Sequence, residues 1–253
     1  MLMSLFSSLK HIGIRTGKLP MKCICKDDIT PGCQTTGKCI RDLWLFESFT
    51  EVQMLELKTI GLKKLIKAGD SVFNQGDPAN EMFLIKAGRI KLSKVHEDGS
   101  EFTLDFRKAG DVLGENVFSG EMDYPISAWA MEDTVTCGFN MHGFNELVLK
   151  HPDIGLNVIR SMSIKMSSMT GRLESMSENS LENRLHSVLS NVAKEHGTKV
   201  ADGFALNFPL THEDLGFLVG AHRVSITKAM KSLTSSGKII KDGKKLTLTE
   251  SFF

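Results

Sequence analysis

The 253-residue chain has one tyrosine, two tryptophans, six prolines, and no apolar run near the ~20 residues that a membrane-spanning helix requires. Few prolines beside 22 glycines in no fixed period exclude a collagenous or low-complexity chain. Excess charge is missing too: 31 basic residues meet 30 acidic ones, for a net charge of +1. That excludes a uniformly basic nucleic-acid coat and leaves room for a local basic patch. The opening MLMSLFSSLKHIGIR has no basic stretch before its apolar patch and no small-residue cleavage site, so no secretory signal is read and the expected location is cytoplasmic. No P-loop, nucleophile elbow, His-Glu-x-x-His or dinucleotide fingerprint is found, which sets an enzyme aside. Glu115, Glu121 and Asp123 could be imagined as a carboxylate group, but solvated loop charge accounts for them.

What is present is a globular composition, 41% apolar and 24% charged, long enough for one large domain or two ordinary ones. Residues 1–45 hold Cys23, Cys25, Cys33 and Cys39 in loop-like company, with too little apolar periodicity for a core. Between residues 60 and 140, Gly69-Asp70, Gly76-Asp77-Pro78, Ala87-Gly88, Asp98-Gly99 and Gly110-Asp111 punctuate short alternating runs about every ten residues. Asp98-Gly99 predicts a hairpin, and many short strands at this spacing predict a sandwich, jelly roll or barrel. The period then becomes helical. After His151-Pro152, Ile154, Val158, Met162, Met166, Met169, Leu173 and Met176 form a narrow seam near the heptad average. A stripe of that width on a long helix predicts pairing with a second copy, rather than a cover for the β-domain.

The last third carries the functional signal. Leu181, Leu185, Val188, Leu189 and Val192 mark one helix, and a strand from Phe204 leads to Thr211. Thr211 caps the next helix with Asp214 as its capping-box partner, Leu215, Leu218 and Val219 face inward, and Gly220 permits a tight turn. A second helix starts near Arg223, with Val224, Ile226, Met230 and Leu233 available for packing. Two short helices around a glycine turn describe a helix-turn-helix. From Arg223 to Lys245 there are seven bases against one acid, Asp242, and Ile239–Leu246 reads as a hairpin with an Asp-Gly turn, a wing.

In this order of parts the chain resembles the cyclic-AMP receptor protein/fumarate-nitrate regulator (CRP/FNR) family of bacterial transcription factors. The resemblance covers about residues 40–250 and is strongest in EMFLIKAGRIKLSKVHEDGSEFTLDFRKAGDVLGE (81–115) and in the helix-turn-helix. The implied fold class is α+β: an N-terminal β-roll (a cyclic-nucleotide-binding-like jelly roll), a long dimerisation helix and a C-terminal winged helix-turn-helix. The corresponding segments are 1–45 (cysteine-containing), 46–145 (β-roll sensor), 146–178 (dimerisation helix) and 179–253 (DNA-binding domain). The resemblance implies a homodimer on a palindromic operator in double-stranded DNA, with RNA polymerase as a further partner and no membrane. It places Arg223, Val224, Ser225, Thr227 and Lys228 at base- and phosphate-facing positions. Thr211, His222 and Lys231 complete the candidate DNA contacts. Relatives often carry Glu where Val224 stands and Arg where Lys228 stands, so their half-site does not carry over to this chain; Val224 suits a thymine methyl and Lys228 a guanine edge or a phosphate.

For the input, the stretch Gly114-Glu115-Asn116 … Pro125-Ile126-Ser127-Ala128 matches the family's cyclic-nucleotide pocket, but Ile126 stands where its phosphate-neutralising arginine belongs. Cyclic AMP is therefore disfavoured. The oxygen-sensing branch joins N-terminal cysteines to one in the β-roll around a 4Fe-4S cluster. That resemblance implies Cys25, Cys33, Cys39 and Cys137 as ligands, with Cys23 spare or exchanging with Cys25, although Cys25-x7-Cys33 is longer than the family's gap. Released by oxygen or nitric oxide, such a cluster would shift the dimer helices. The rivals are a thiol–disulfide switch, which needs two cysteines, a zinc site, for which paired spacings are missing, and a small organic effector.

Overall fold

A computed structural model describes residues 43, 46, 49–120, 122–243 and 245–253. Cys23, Cys25, Cys33 and Cys39 lie outside the described residues.

Helix α1 (Glu51–Ile60) starts at a capping box in which Thr50 and Gln53 exchange side-chain and backbone hydrogen bonds. Eight strands follow: β1 (Gly61–Ile66), β2 (Ser71–Phe73), β3 (Glu81–Ala87), β4 (Arg89–Val95), β5 (Glu101–Lys108), β6 (Val112–Leu113), β7 (Ser127–Ala130) and β8 (Thr134–Asn140). They form two four-stranded antiparallel sheets, ordered β1-β8-β3-β6 and β2-β7-β4-β5. Inward residues of both sheets, among them Leu84, Ile85, Ile90, Leu92 and Ala128, share one core. This is the expected β-roll. The β4–β5 pair turns at Asp98-Gly99, where Gly99 has a φ of 81°.

Two helices leave the roll, α2 (Met141–Lys150) and α3 (Pro152–Met176), broken at His151 ahead of Pro152. The apolar seam of α3 needs one correction. Ile154 and Val158 are buried in the β-roll core rather than offered to a partner. The exposed stripe begins at Ile159 and continues through Met162, Met166, Met169, Leu173 and Met176, with Ile159 61%, Met166 71% and Leu173 69% exposed. Its steps of 3, 4, 3, 4 and 3 are a strict heptad alternation. The sequence alone could not separate the roll-facing turns from the free ones, because both are apolar at helical spacing.

The last unit comprises α4 (Leu181–His196), β9 (Thr198–Val200), β10 (Gly203–Leu206), α5 (His212–Val219), α6 (Arg223–Ser235), β11 (Ile239–Asp242) and β12 (Lys245–Thr249), with the sheet order β11-β12-β10-β9. Its core gathers Leu185, Leu189, Leu215, Ile226, Met230 and Leu248, and it takes one residue from the roll, Phe106 of β5. A bulge makes this possible. Asp105 pairs with Leu92 and Thr103 with Ser93, leaving Leu104 as the extra residue. The phase of β5 shifts there, so Thr103 and Phe106 both meet the C-terminal unit: Thr103 Oγ1 donates to Asp214 Oδ1 at 2.7 Å, and the Phe106 ring lies 6.0 Å from that of Phe208.

Charged side chains complete the junction. Arg89 donates to the His196 carbonyl at 3.0 Å and Lys108 to that of Glu195, so cations of the roll satisfy the carboxyl end of α4. Lys165 of α3 reaches both Asp111 (3.2 Å) and Glu195 (2.5 Å). His196 is buried between the Phe106 and Phe208 rings. Burial, before its charged neighbours, pushes its pKa down to about 4. The folded protein therefore keeps this ring neutral while the unfolded chain protonates it below about 6.5. Stability is complete above pH 6.5 and declines as pH falls from 6.5 toward 4, by about 3 kcal/mol from this group. Urea denaturation at pH 7.5 and pH 5 measures this, and His196→Asn is expected to shrink the difference.

Candidate DNA interface and effector cavity

Thr211 caps α5 through a reciprocal box: its hydroxyl accepts from Asp214 N, and Asp214 Oδ2 accepts from Thr211 N and Oγ1. Asp214 thereby ties the cap to β5, since its other oxygen takes the Thr103 hydroxyl. Asp214→Ala removes both links and is expected to cost about 2 kcal/mol, read as a lower midpoint in thermal melts. Gly220 ends α5 in the left-handed region at φ 65°, as the turn requires. A Cβ at Gly216 would lie 2.7 Å from the Ala221 carbonyl, so the close packing of this turn depends on a glycine there.

Helix α6 buries Ile226 and Met230 and turns Arg223, Val224, Thr227, Lys228 and Lys231 outward. Those positions fall at i, i+1, i+4, i+5 and i+8, a single helical face. Thr211 and His222 are exposed and Ser225 is half-buried. Beside this face, β11 and β12 form the expected wing, with Lys241 and Lys245 exposed. Arg223, Lys228 and Lys231 of α6 and the wing lysines thus make one basic surface, while Thr211 is held in the α5 cap. His212, which the sequence reading passes over, joins them: its Nδ1 lies 2.9 Å from Thr227 Oγ1.

A cavity of about 880 Å³ lies between three elements: the roll (Phe73, Leu104, Leu113, Ile126), α3 (Met162, Met169, Leu173, Met176) and α5 (Phe217, Leu218). Its apolar walls suit an organic molecule. Ile126 lines it where a phosphate binder would need a cation. Ser127 does not line it; its hydroxyl accepts from Gln75 N at 2.9 Å. The two guanidinium groups at the wall are already engaged with a carboxylate. Arg107 lies 2.5 Å from Asp105 and 3.6 Å from Glu115, and Arg172 lies 3.2 Å from Asp105 while donating to the Leu104 carbonyl at 2.7 Å. Arg107 Nε is buried with no hydrogen-bond acceptor. No sequence signal marked Phe102 and Phe217, whose rings lie 6.2 Å apart across the two domains.

Cys137 sits in β8 opposite Lys63 and Leu84, 6% exposed in the apolar core. Such burial suits a structural thiol and removes it from fast thiol–disulfide exchange. Among the described residues no group of three or more His, Cys, Asp or Glu could hold a metal. None of the helices described is long and apolar enough to cross a membrane.

Residues 63–151 match the family described as Cyclic nucleotide-binding domain, and residues 183–250 match the Crp-like helix-turn-helix domain. Both are regulatory rather than catalytic modules. The chain is 25% identical over 184 residues to the "Anaerobic regulatory protein" of Bacillus subtilis, covering 72% of this chain and 77% of that protein. It is 25% identical over 189 residues to the "Fumarate and nitrate reduction regulatory protein" of Salmonella typhimurium, covering 75% of each. Its fold is similar to that of the solved c-di-GMP responsive global regulator CLP of Xanthomonas campestris, with TM-score 0.66, 17% identity, and coverage of 79% of this chain and 99% of that one.

Proposed function

Because the chain has the fold and both domains of CRP/FNR superfamily transcriptional regulators, we propose that it regulates transcription as a DNA-binding homodimer whose input is a small organic effector. Regulators of this type generally bind DNA as homodimers, and the exposed heptad stripe from Ile159 to Met176 offers the pairing face. The observation that carries the effector reading is the shared cavity. Strand β5, the dimer helix and the first helix of the helix-turn-helix all contribute to its wall. A ligand there touches the sensor, the seam and the reading head at once. Its differential affinity for two arrangements of those parts is what would shift their populations.

The walls favour an apolar body, and with Ile126 among them they disfavour a cyclic phosphate. Thermal melts of the full-length protein with octanoate and with cyclic AMP test this. Octanoate is expected to raise the midpoint as its concentration rises and cyclic AMP to leave it unchanged. Stabilisation by cyclic AMP alone would overturn the effector reading.

A second reading keeps the 4Fe-4S cluster on Cys25, Cys33, Cys39 and Cys137. The Bacillus relative is named for anaerobic regulation, which suits an oxygen-linked input without naming a cluster. The described residues supply one of four thiolates, Cys137, so the other three must come from the segment before Leu43, and one thiol does not make a cluster site. Anaerobic purification with an iron and sulfide assay separates the two: stoichiometric iron and sulfide lost in Cys137→Ala support the cluster, and an iron-free protein that still binds DNA supports the effector.

A further inference from the structure

The basic surface holds an imidazole with a defined proton inventory. His212, the first residue of α5, places Nδ1 2.9 Å from Thr227 Oγ1. The same hydroxyl lies 2.9 Å from the Arg223 carbonyl, which can only accept. A hydroxyl has one proton, and it goes to that carbonyl, so His212 Nδ1–H donates to the Thr227 oxygen. Nε2 is left as the nitrogen that gains or releases a proton. The charged groups that act on the ring are Lys241 on the wing and Arg223 on α6. Partial burial, then Lys241 and Arg223, hold its pKa below the ordinary histidine value.

We propose that His212 is a DNA contact that takes up one proton from solvent on Nε2 as a backbone phosphate docks beside Arg223 and Lys241. The inference rests on the DNA-binding reading above. The phosphate supplies the negative charge that the free site lacks. Protonation breaks no hydrogen bond, because Nδ1–H is the donor to Thr227 in both forms. The ring stays aimed while its charge changes. Val224 and Lys228 set base preference on the neighbouring face, whereas His212 makes the affinity depend on pH.

Linkage fixes the sign. The complex binds more protons than the free protein between the two pKa values, so binding tightens as pH falls. With up to one proton per protomer and two protomers on a duplex, affinity is expected to drop by about ten- to hundredfold per pH unit between pH 6 and 8. The test uses the full-length protein and a fluorescein-labelled duplex enriched from random-sequence DNA, read by anisotropy at constant ionic strength. The wild type is expected to show the slope, His212→Gln to flatten it with weaker binding at pH 6, and His212→Arg to bind tightly at every pH. A wild-type slope retained in His212→Gln would assign the proton to another group, His222 first, and overturn the inference. A flat wild-type profile would do the same. Failure to enrich any duplex at any pH would instead strike the DNA-binding reading itself.

Discussion

Met166→Asp is expected to turn the proposed dimer into monomers and to weaken operator binding by at least about hundredfold. Met166 is 71% exposed in the single chain, at the centre of the stripe that runs from Ile159 to Met176. In a parallel helix pair this position meets its own copy across the axis, so one substitution places two carboxylates in an apolar seam. Two desolvated like charges cost several kcal/mol, and each 1.4 kcal/mol is about tenfold in dissociation constant. DNA affinity falls further, because the second half-site is then no longer bound at the high effective concentration set by the first, a factor of about 10²–10⁴. Met166 does not line the cavity, unlike Met162 and Met169, so the variant separates pairing from effector binding. Analytical ultracentrifugation and anisotropy read both effects, and a variant that stays dimeric would show that α3 pairs by another face.

Phe106→Ala is expected to destabilise the DNA-binding unit by about 3–5 kcal/mol, the range for a buried phenylalanine. The ring is 1% exposed and belongs to the C-terminal core although its strand belongs to the roll. Its loss opens a cavity beside Phe208 and removes one wall of the His196 site. At about 2–4 °C per kcal/mol for a chain of this size, the thermal midpoint drops by roughly 6–20 °C. Because the lost contact joins two domains, the single melt is expected to split, with the C-terminal unit unfolding first. Phe106→Leu retains most of the volume and is expected to cost less than about 1.5 kcal/mol. Calorimetry that finds one unshifted transition in Phe106→Ala would contradict the shared core.

Much of this architecture is legible in the residues because it is written locally. Asp98-Gly99 specifies a hairpin, Thr211 with Asp214 specifies a cap, Gly220 specifies a turn, and the bases of α6 and the wing gather within 23 residues. Each depends on neighbours in the chain, which a single sequence displays. The junction between domains does not. Phe106 in FTLDF reads as a strand residue, and nothing local says that the bulge at Leu104 turns it toward the other domain. Asp214 shows its cap and hides its bond to Thr103, 111 positions away. Ile154 and Val158 have the same apolar period as the exposed stripe and differ only in lying where α3 crosses the roll. His212 stands beside an obvious cap, and its partner Thr227 lies on the following helix.

In the proposed function two copies of this chain, joined along α3, together read one duplex. Sedimentation velocity of the full-length protein with a labelled, selection-enriched duplex tests it most directly. A complex of two chains per duplex is expected, and it disappears with Met166→Asp. A duplex carrying a single chain, or one that sediments alone at every protein concentration, would contradict it.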